Sequence, residues 1–380
     1  MPLSNVSKRS YLPPPFVFSH LAVPPVRAVV AVPVKNEAER LGECLAALAK
    51  QGRCRDGSFG VLLLLNNCSD ESAAVAERLR PALPYPLQIS TVTLPEHLSN
   101  AGYARRLAMD SAAAWLGASS TEDGFFNDGF LLTTDADSRV ARDWIDRHFG
   151  HFRDGVDAVA GLVRDEPGEL RRLPAQLRRR RRLEERYAEL LTELESILAP
   201  LPWDPWPRHS MASGASLGLR LSWYRRIGGL PLQPSGEDRA LLDCLAASGA
   251  RVRHCRKTLV TTSCRLVGRA KGGMAETMRE RIKSPESPCD ETLAPLWLAI
   301  RRFVLKAAER RSSVTSPGIN QQFRIGSQRL RPADLHQEIR RAEHVLLSLR
   351  LRSRAAAPLA NGPSLGHRDD IPDNAVSARA

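Results

Sequence analysis

Four apolar runs, VRAVVAVPV (26–34), GVLLLLNN (60–67), LQISTVTL (87–94) and GFLLTTDAD (129–137), constrain the fold more than anything else in the chain. They are β-branched or leucine-rich with little polar alternation, as expected of strands covered on both faces in a parallel sheet. Helical spacing fills the gaps. Leu41, Cys44, Leu45 and Leu48 share one face, which predicts a helix capped by Asn36 with Glu37 and Glu39 in its first turn. SAAVAERLR (72–80) and AGYARRLAMDSAAAWLG (101–117) continue the alternation, and ARDWIDRHFGHF (141–152) followed by DAVAGLV (157–163) adds a further helix and strand. The succession predicts an α/β fold, a doubly wound and mostly parallel sheet flanked by helices, with ligands gathered where the strands end.

At 380 residues and 43% hydrophobic content, the chain can bury one large domain, or one domain with appendages. A net charge of +13 favours an anionic partner: a phosphorylated small molecule, a membrane surface or nucleic acid. Aromatics make up 6% and are not interleaved with the basic residues, so no stacking platform for single strands, and no nucleic acid, is expected. Seven cysteines form no C-x-x-C pair, which indicates neither a disulfide framework nor a zinc knuckle and makes a reducing cytoplasm the simplest location. Prolines interrupt YLPPPFVFSHLAVPPV, and no run approaches the ~20 apolar residues of a spanning helix, so neither a signal peptide nor a membrane anchor is expected.

The expected organisation is a Pro-rich lead-in over 1–25, a main domain over 26–290, a helical extension over 291–354 and a disordered tail over 355–380. The main domain contains a charged helical insertion near 166–198, where the run RRRRR (178–182) reads as the solvated basic face of a helix whose other face carries Leu183, Tyr187, Leu190, Leu191 and Leu194.

The fourth apolar run ends on Asp135 and Asp137. Carboxylates at i and i+2 on a strand-end loop can converge on a divalent cation and leave positions open for phosphates. An isolated D-x-D is also common by chance, and would equally suit a helix cap and a turn residue. The blocks AVPVKNEAERLGECLAAL, LLNNCSDES, ARRLAMD, TTDAD, IGGL and GEDRALL occur in one order, and through them residues 26–265 resemble the family 2 glycosyltransferases of the GT-A fold. The resemblance implies transfer of a sugar from a nucleotide-diphosphate sugar to a hydroxyl acceptor with Mn²⁺ or Mg²⁺ as cofactor. It implies that Pro33, Val34, Asn36, Glu37 and Asn67 line the nucleoside pocket, that Arg105 approaches base or phosphates, that Asp135 and Asp137 hold the metal, and that Asp238 is the base with Glu237 tuning it. Where many members carry an acidic pair, this chain has Asn66 and Asn67, which leaves UDP and GDP both open. A histidine often found after the base motif has no clear counterpart, since His254 is close but TTSCRLVGR occupies the region, and Arg265 and Arg269 are the candidates to meet the diphosphate in its stead.

Transfer needs charge stabilisation on the leaving diphosphate, a base for the acceptor hydroxyl and exclusion of water. A single base opposite the leaving group implies inversion at the anomeric carbon, although some related GT-A enzymes retain. Asp238 would alternatively serve as a helix N-cap. On the acceptor side, PWDPWPRHSMASGAS (202–216) offers Trp203 and Trp206 for stacking on a sugar and His209 for hydrogen bonding; tryptophans in Pro-rich loops are equally ordinary anchors. The rival readings are a dehydrogenase or sugar nucleotidyltransferase, whose glycine-rich loop is missing from VPVKNEAERL, and a membrane-surface or nucleic-acid binding protein on a non-catalytic scaffold. Peripheral membrane contact through the helices near 296–310 and 334–352 is compatible with transfer to a lipid-linked acceptor at the inner membrane face.

Overall fold

A computed structural model describes residues 24–54, 56–118, 128–268, 273–312 and 329–355. Most of the lead-in, Arg269 and all but the first residue of the expected tail lie outside that set.

The first half alternates as the apolar runs require: β1 (Ala28–Val34), α1 (Ala38–Ala49), β2 (Phe59–Asn66), α2 (Ser72–Leu79), β3 (Leu87–Val92), α3 (Ala101–Ala118) and β4 (Phe130–Thr133). Then follow β5 (Ser138–Val140), α4 (Trp144–Arg153), β6 (Ala158–Asp165), α5 (Pro167–Arg172), α6 (Ala175–Leu198), β7 (Leu217–Arg220), α7 (Leu221–Arg226), α8 (Glu237–Ala247), β8 (Val252–Thr262) and α9 (Met274–Lys283). Two long helices close the described chain, α10 (Leu296–Ser312) and α11 (Pro332–Ala355).

The strands form one sheet in the order β3-β2-β1-β4-β7-β6-β8-β5. β3, β2, β1 and β4 are mutually parallel, β6 and β8 run the same way, and β7 and β5 are antiparallel to their neighbours. β1 explains its own composition. Val30 and Val32 enter a core on one face with Trp144 and Phe152 of α4, whereas Val29 and Ala31 enter the other with Leu107 and Trp115 of α3. A strand buried on both faces has no position for a polar residue, hence the unbroken run.

A third core joins Tyr187, Leu190 and Leu194 of α6 to Leu296 and Phe303 of α10 and Leu335 and Leu346 of α11. The charged insertion and the C-terminal helices therefore pack as one bundle. The arginine run departs from a purely solvated face: Arg180 is 4% exposed, and its guanidinium donates to Glu184, to the carbonyls of Pro285 and Pro288 and to Ser287 Oγ. Arg181 pairs with Asp165 at the end of β6. Two of the five arginines thus fasten α6 to its surroundings.

Among the described residues no helix is long and apolar enough to cross a membrane. Cys44, Cys68, Cys244, Cys255, Cys264 and Cys289 are free thiols.

Candidate active site

The winding reverses between β1 and β4, where a doubly wound sheet opens a crevice at its strand ends. The crevice here is a cleft of about 250 Å³. Pro33, Lys35 and Glu37 line it from the end of β1, Asn66 from β2, Arg105 from α3, Asp135 and Asp137 from beyond β4, Ser263 and Arg265 from beyond β8, and Met274 and Met278 from α9.

Arg105 organises the floor. It is 5% exposed. Its Nε donates to Glu237 Oε1 at 3.1 Å, Nη2 to Asp135 Oδ1 at 2.7 Å, and Nη1 to Thr133 Oγ1 at 3.1 Å and the Gly214 carbonyl at 3.0 Å. Burial opposes its charge, but Asp135 and Glu237 outweigh that and hold its pKa above the usual arginine value. Position 214 must be glycine, since a Cβ there would lie 2.2 Å from Arg105 Cζ. The N–H of Gly214 donates in turn to Asp238 Oδ2 at 3.0 Å. One hydrogen-bonded line thus runs from Asp135 through Arg105 and Gly214 to Asp238.

Asp238 is not the helix cap. Gly236, at φ 74°, occupies that position, and Asp238 is half-buried in the first turn of α8 with Oδ1 accepting the Arg239 N–H at 2.7 Å. Glu237 is buried against Arg105.

The opposite wall is a second charged cluster. Arg265 Nη1 donates to Glu37 Oε2 at 2.9 Å, Nη2 pairs with Glu37 Oε1, and Nη2 lies 3.4 Å from Asp137 Oδ2. Thr262 Oγ1 donates to Asp137 Oδ1 at 3.2 Å. Burial, then the charges of Asp135 and Glu37, push the Asp137 carboxyl up to about 7 despite Arg265.

Several expected ligand-facing residues are otherwise engaged. Asn36 adopts φ 54° and does not cap α1, whose N-cap is Glu37; its Oδ1 accepts the Ser69 N–H at 2.8 Å, tying the loops after β1 and β2 together. Val34 is buried in β1 with its carbonyl accepting from Asn66 Nδ2 at 3.1 Å. The Asn67 amide is consumed by the backbone of Leu94, donating to its carbonyl at 2.9 Å and accepting its N–H at 3.0 Å. Its neighbour Asn66 lines the cleft instead, 3% exposed, with an Oδ1 that has no partner. The Val34 carbonyl fixes which end of that amide is nitrogen, so the oxygen is the unpaired end.

Trp203, Trp206 and His209 do not line the cleft. Their loop is stapled to the beginning of β8 by buried Asp204, which accepts from Arg208 and Arg253 and from the N–H and ring of His254, each at 2.9 Å. Trp203 lies under Arg251, and His209 packs edge-on against His254. The cleft lies at the other end of β8: His254 pairs with Ala160, five residues short of Asp165 at the cleft end of β6, roughly 16 Å at ~3.3 Å per residue. Trp203 and His209 thus pack within that loop's anchorage, and Trp206 is 39% exposed outside the cleft.

Residues 29–200 match the family model described as glycosyl transferase family 2. The chain carries a family 2 glycosyltransferase domain. The match includes Glu37, Arg105, Asp135 and Asp137; Asp238 and Arg265 of the glycosyltransferase fall beyond it. No curated protein matches the chain. Among solved structures it is similar to S. aureus TarS in complex with UDP-GlcNAc, at 14% identity over 78% of each chain with a TM-score of 0.45. It is also similar to the mannosyltransferase PcManGT from Pyrobaculum calidifontis with GDP-Man and Mn²⁺, at 17% identity over 88% of this chain and 84% of that one, TM-score 0.44. A third is glucosyl-3-phosphoglycerate synthase from Mycobacterium tuberculosis with Mn²⁺, UDP and glucosyl-3-phosphoglycerate, at 15% identity over 77% and 82%, TM-score 0.38.

Proposed function

We propose that this glycosyltransferase moves a sugar from a nucleoside-diphosphate donor to a hydroxyl acceptor, with the donor in the cleft at the ends of β1, β4 and β8 and Asp238 as the general base. The line Asp135–Arg105–Gly214–Asp238 carries the reading. It fixes a carboxylate suited to the leaving-group side against one suited to the acceptor side, with two protein groups between them.

The donor set suits a hard divalent ion. Asp135 and Asp137 offer carboxylate oxygens at one strand end, and Glu37 brings a third carboxylate to the same wall. Asp135 and Asp137 would hold Mn²⁺ or Mg²⁺, which when bound supplies charge neutralisation to the departing diphosphate. Lys35 and Arg265 line the same wall and add cationic character. Asp238 takes the acceptor hydroxyl proton as that oxygen bonds to the anomeric carbon and the sugar–phosphate bond breaks toward the diphosphate; attack opposite the leaving group inverts the centre. The unpaired Oδ1 of Asn66 selects a base presenting an N–H at its edge, as uracil and guanine do. Trp297 and Val304, 64% and 48% exposed on α10, form the face through which the protein would touch a membrane carrying a lipid-linked acceptor.

A thermal-shift panel of nucleotides with Mn²⁺ or Mg²⁺ tests the assignment, since a ligand at ~100 times its Kd adds about 2.7 kcal/mol. One nucleoside diphosphate is expected to give a metal-dependent shift that Asp137→Ala abolishes. A shift indifferent to both metal and this substitution would overturn the role of Asp137. Liposome flotation of the wild type and of a variant carrying Trp297→Ser and Val304→Ser tests the membrane contact, and equal binding by both forms would refute it.

A further inference from the structure

Arg265 stands where an ion serving Asp137 would carry its positive charge. Resting on the metal reading above, we propose that the Arg265 guanidinium is an internal counter-ion that a divalent metal must displace from Glu37 and Asp137. Once displaced, it becomes the partner of the donor diphosphate.

The charges divide into two sets. Arg105 serves Asp135 and Glu237, with four hydrogen bonds fixing it. Arg265 serves Glu37 and Asp137 from the segment after β8, where the other described bond of its guanidinium is Nε to the Val267 carbonyl, two residues along its own loop. The first arginine is built into the floor; the second is held chiefly by the carboxylates it neutralises. Glu37 is buried and Asp137 nearly so, and without a cation their charges would be left in a poorly solvated wall. A guanidinium meets that need while the metal is absent. Guanidinium and metal therefore compete for the same oxygens. When the ion wins, Arg265 is released on the cleft wall, where paired diphosphate oxygens can accept both arms of its planar fork. Metal and nucleotide each remove an obstacle to the other and bind cooperatively, reciprocally by linkage.

The test is Mn²⁺ binding followed by electron paramagnetic resonance, without turnover. With Mn²⁺ alone, Arg265→Met is expected to bind about tenfold more tightly than the wild type, and Arg265→Lys, which keeps a charge but loses the fork, to fall between them. In the wild type UDP or GDP should tighten Mn²⁺ about tenfold; in Arg265→Met that coupling should largely vanish. The methionine variant should also melt lower than the wild type without metal and recover with Mn²⁺, so that a folding defect is read separately from a binding change. Equal or weaker Mn²⁺ binding by both variants overturns the displacement. Failure of all three proteins to bind Mn²⁺, with or without nucleotide, removes the metal reading itself and this inference with it.

Discussion

Asn66 and Asn67 are chemically identical neighbours used in opposite ways. Asn66 is the last residue of β2 and points its amide along the strand end, with one side on the Val34 carbonyl and the other in the cleft. Asn67, at φ 48°, turns the chain and spends its amide on Leu94. Sequence reading favoured Asn67 because nothing in the letters reveals where the strand stops and the left-handed residue begins. Asn66→Leu, close in size but without an acceptor, is expected to weaken donor nucleotide by about 5- to 150-fold, the range for ~1–3 kcal/mol, in calorimetry while leaving Mn²⁺ binding unchanged. Asp238→Asn should keep nucleotide affinity and lower kcat by about 10²–10⁴-fold, with full activity refuting it as the base. That Asp135 and Asp137 end a buried strand was legible because their charge breaks an apolar run, whereas the roles expected of them and of Asp238 came from the family resemblance. Gly214 was not, because the need for glycine arises from the approach of Arg105, which is remote in sequence.

At the level of elements, long and strongly patterned segments declared themselves. β1, β2 and α1 lie where the apolar runs place them, and Leu41, Cys44, Leu45 and Leu48 are the buried face of α1. β5 and β7, three and four residues long and antiparallel to their neighbours, escaped because such short strands carry too few side chains to show a period. The arginine run misled for a related reason: composition shows five cations but not which one the helix turns inward. Breaking the Arg180 contacts leaves Glu184 and two loop carbonyls without that donor, so Arg180→Met is expected to cost about 3 kcal/mol in urea unfolding. Arg179→Met, one position along on the exposed side, should stay within about 0.5 kcal/mol.

For the whole molecule, acid sensitivity follows from groups buried in their less protonated form. Burial lowers His148 to about 3, and burial with the nearby His254 lowers His209 to about 3. Glu195 sits at about 2 because Lys306 and Arg208 outweigh its burial. In each case the unfolded chain binds protons that the folded chain refuses. The contribution of these three groups is therefore full above pH ~6.5, declines as pH falls with the histidines affected first, and declines further below ~4.5 where Glu195 joins them. Asp137, raised to about 7 by burial, takes up its proton in the folded chain first and offsets about one histidine's share between pH ~7 and ~4. Each histidine contributes up to about 1.4 kcal/mol per pH unit, so the midpoint of urea unfolding should fall steadily from pH 7 to 4. His148→Phe should flatten that slope, because Asp137 then offsets the remaining histidine; a wild-type midpoint that does not fall between pH ~6 and ~4 would contradict the burial of both rings. The helix α6 has a last consequence for recombination. It ends just before residue 200, where the family match stops, yet its leucines are covered by α10 and α11 and its Arg181 grips β6. A graft joined at that border would import the paired aspartates stripped of Asp238 and would strand a greasy half-bundle in water. Swapping this enzyme's parts with a relative's must exchange the α6, α10 and α11 trio together.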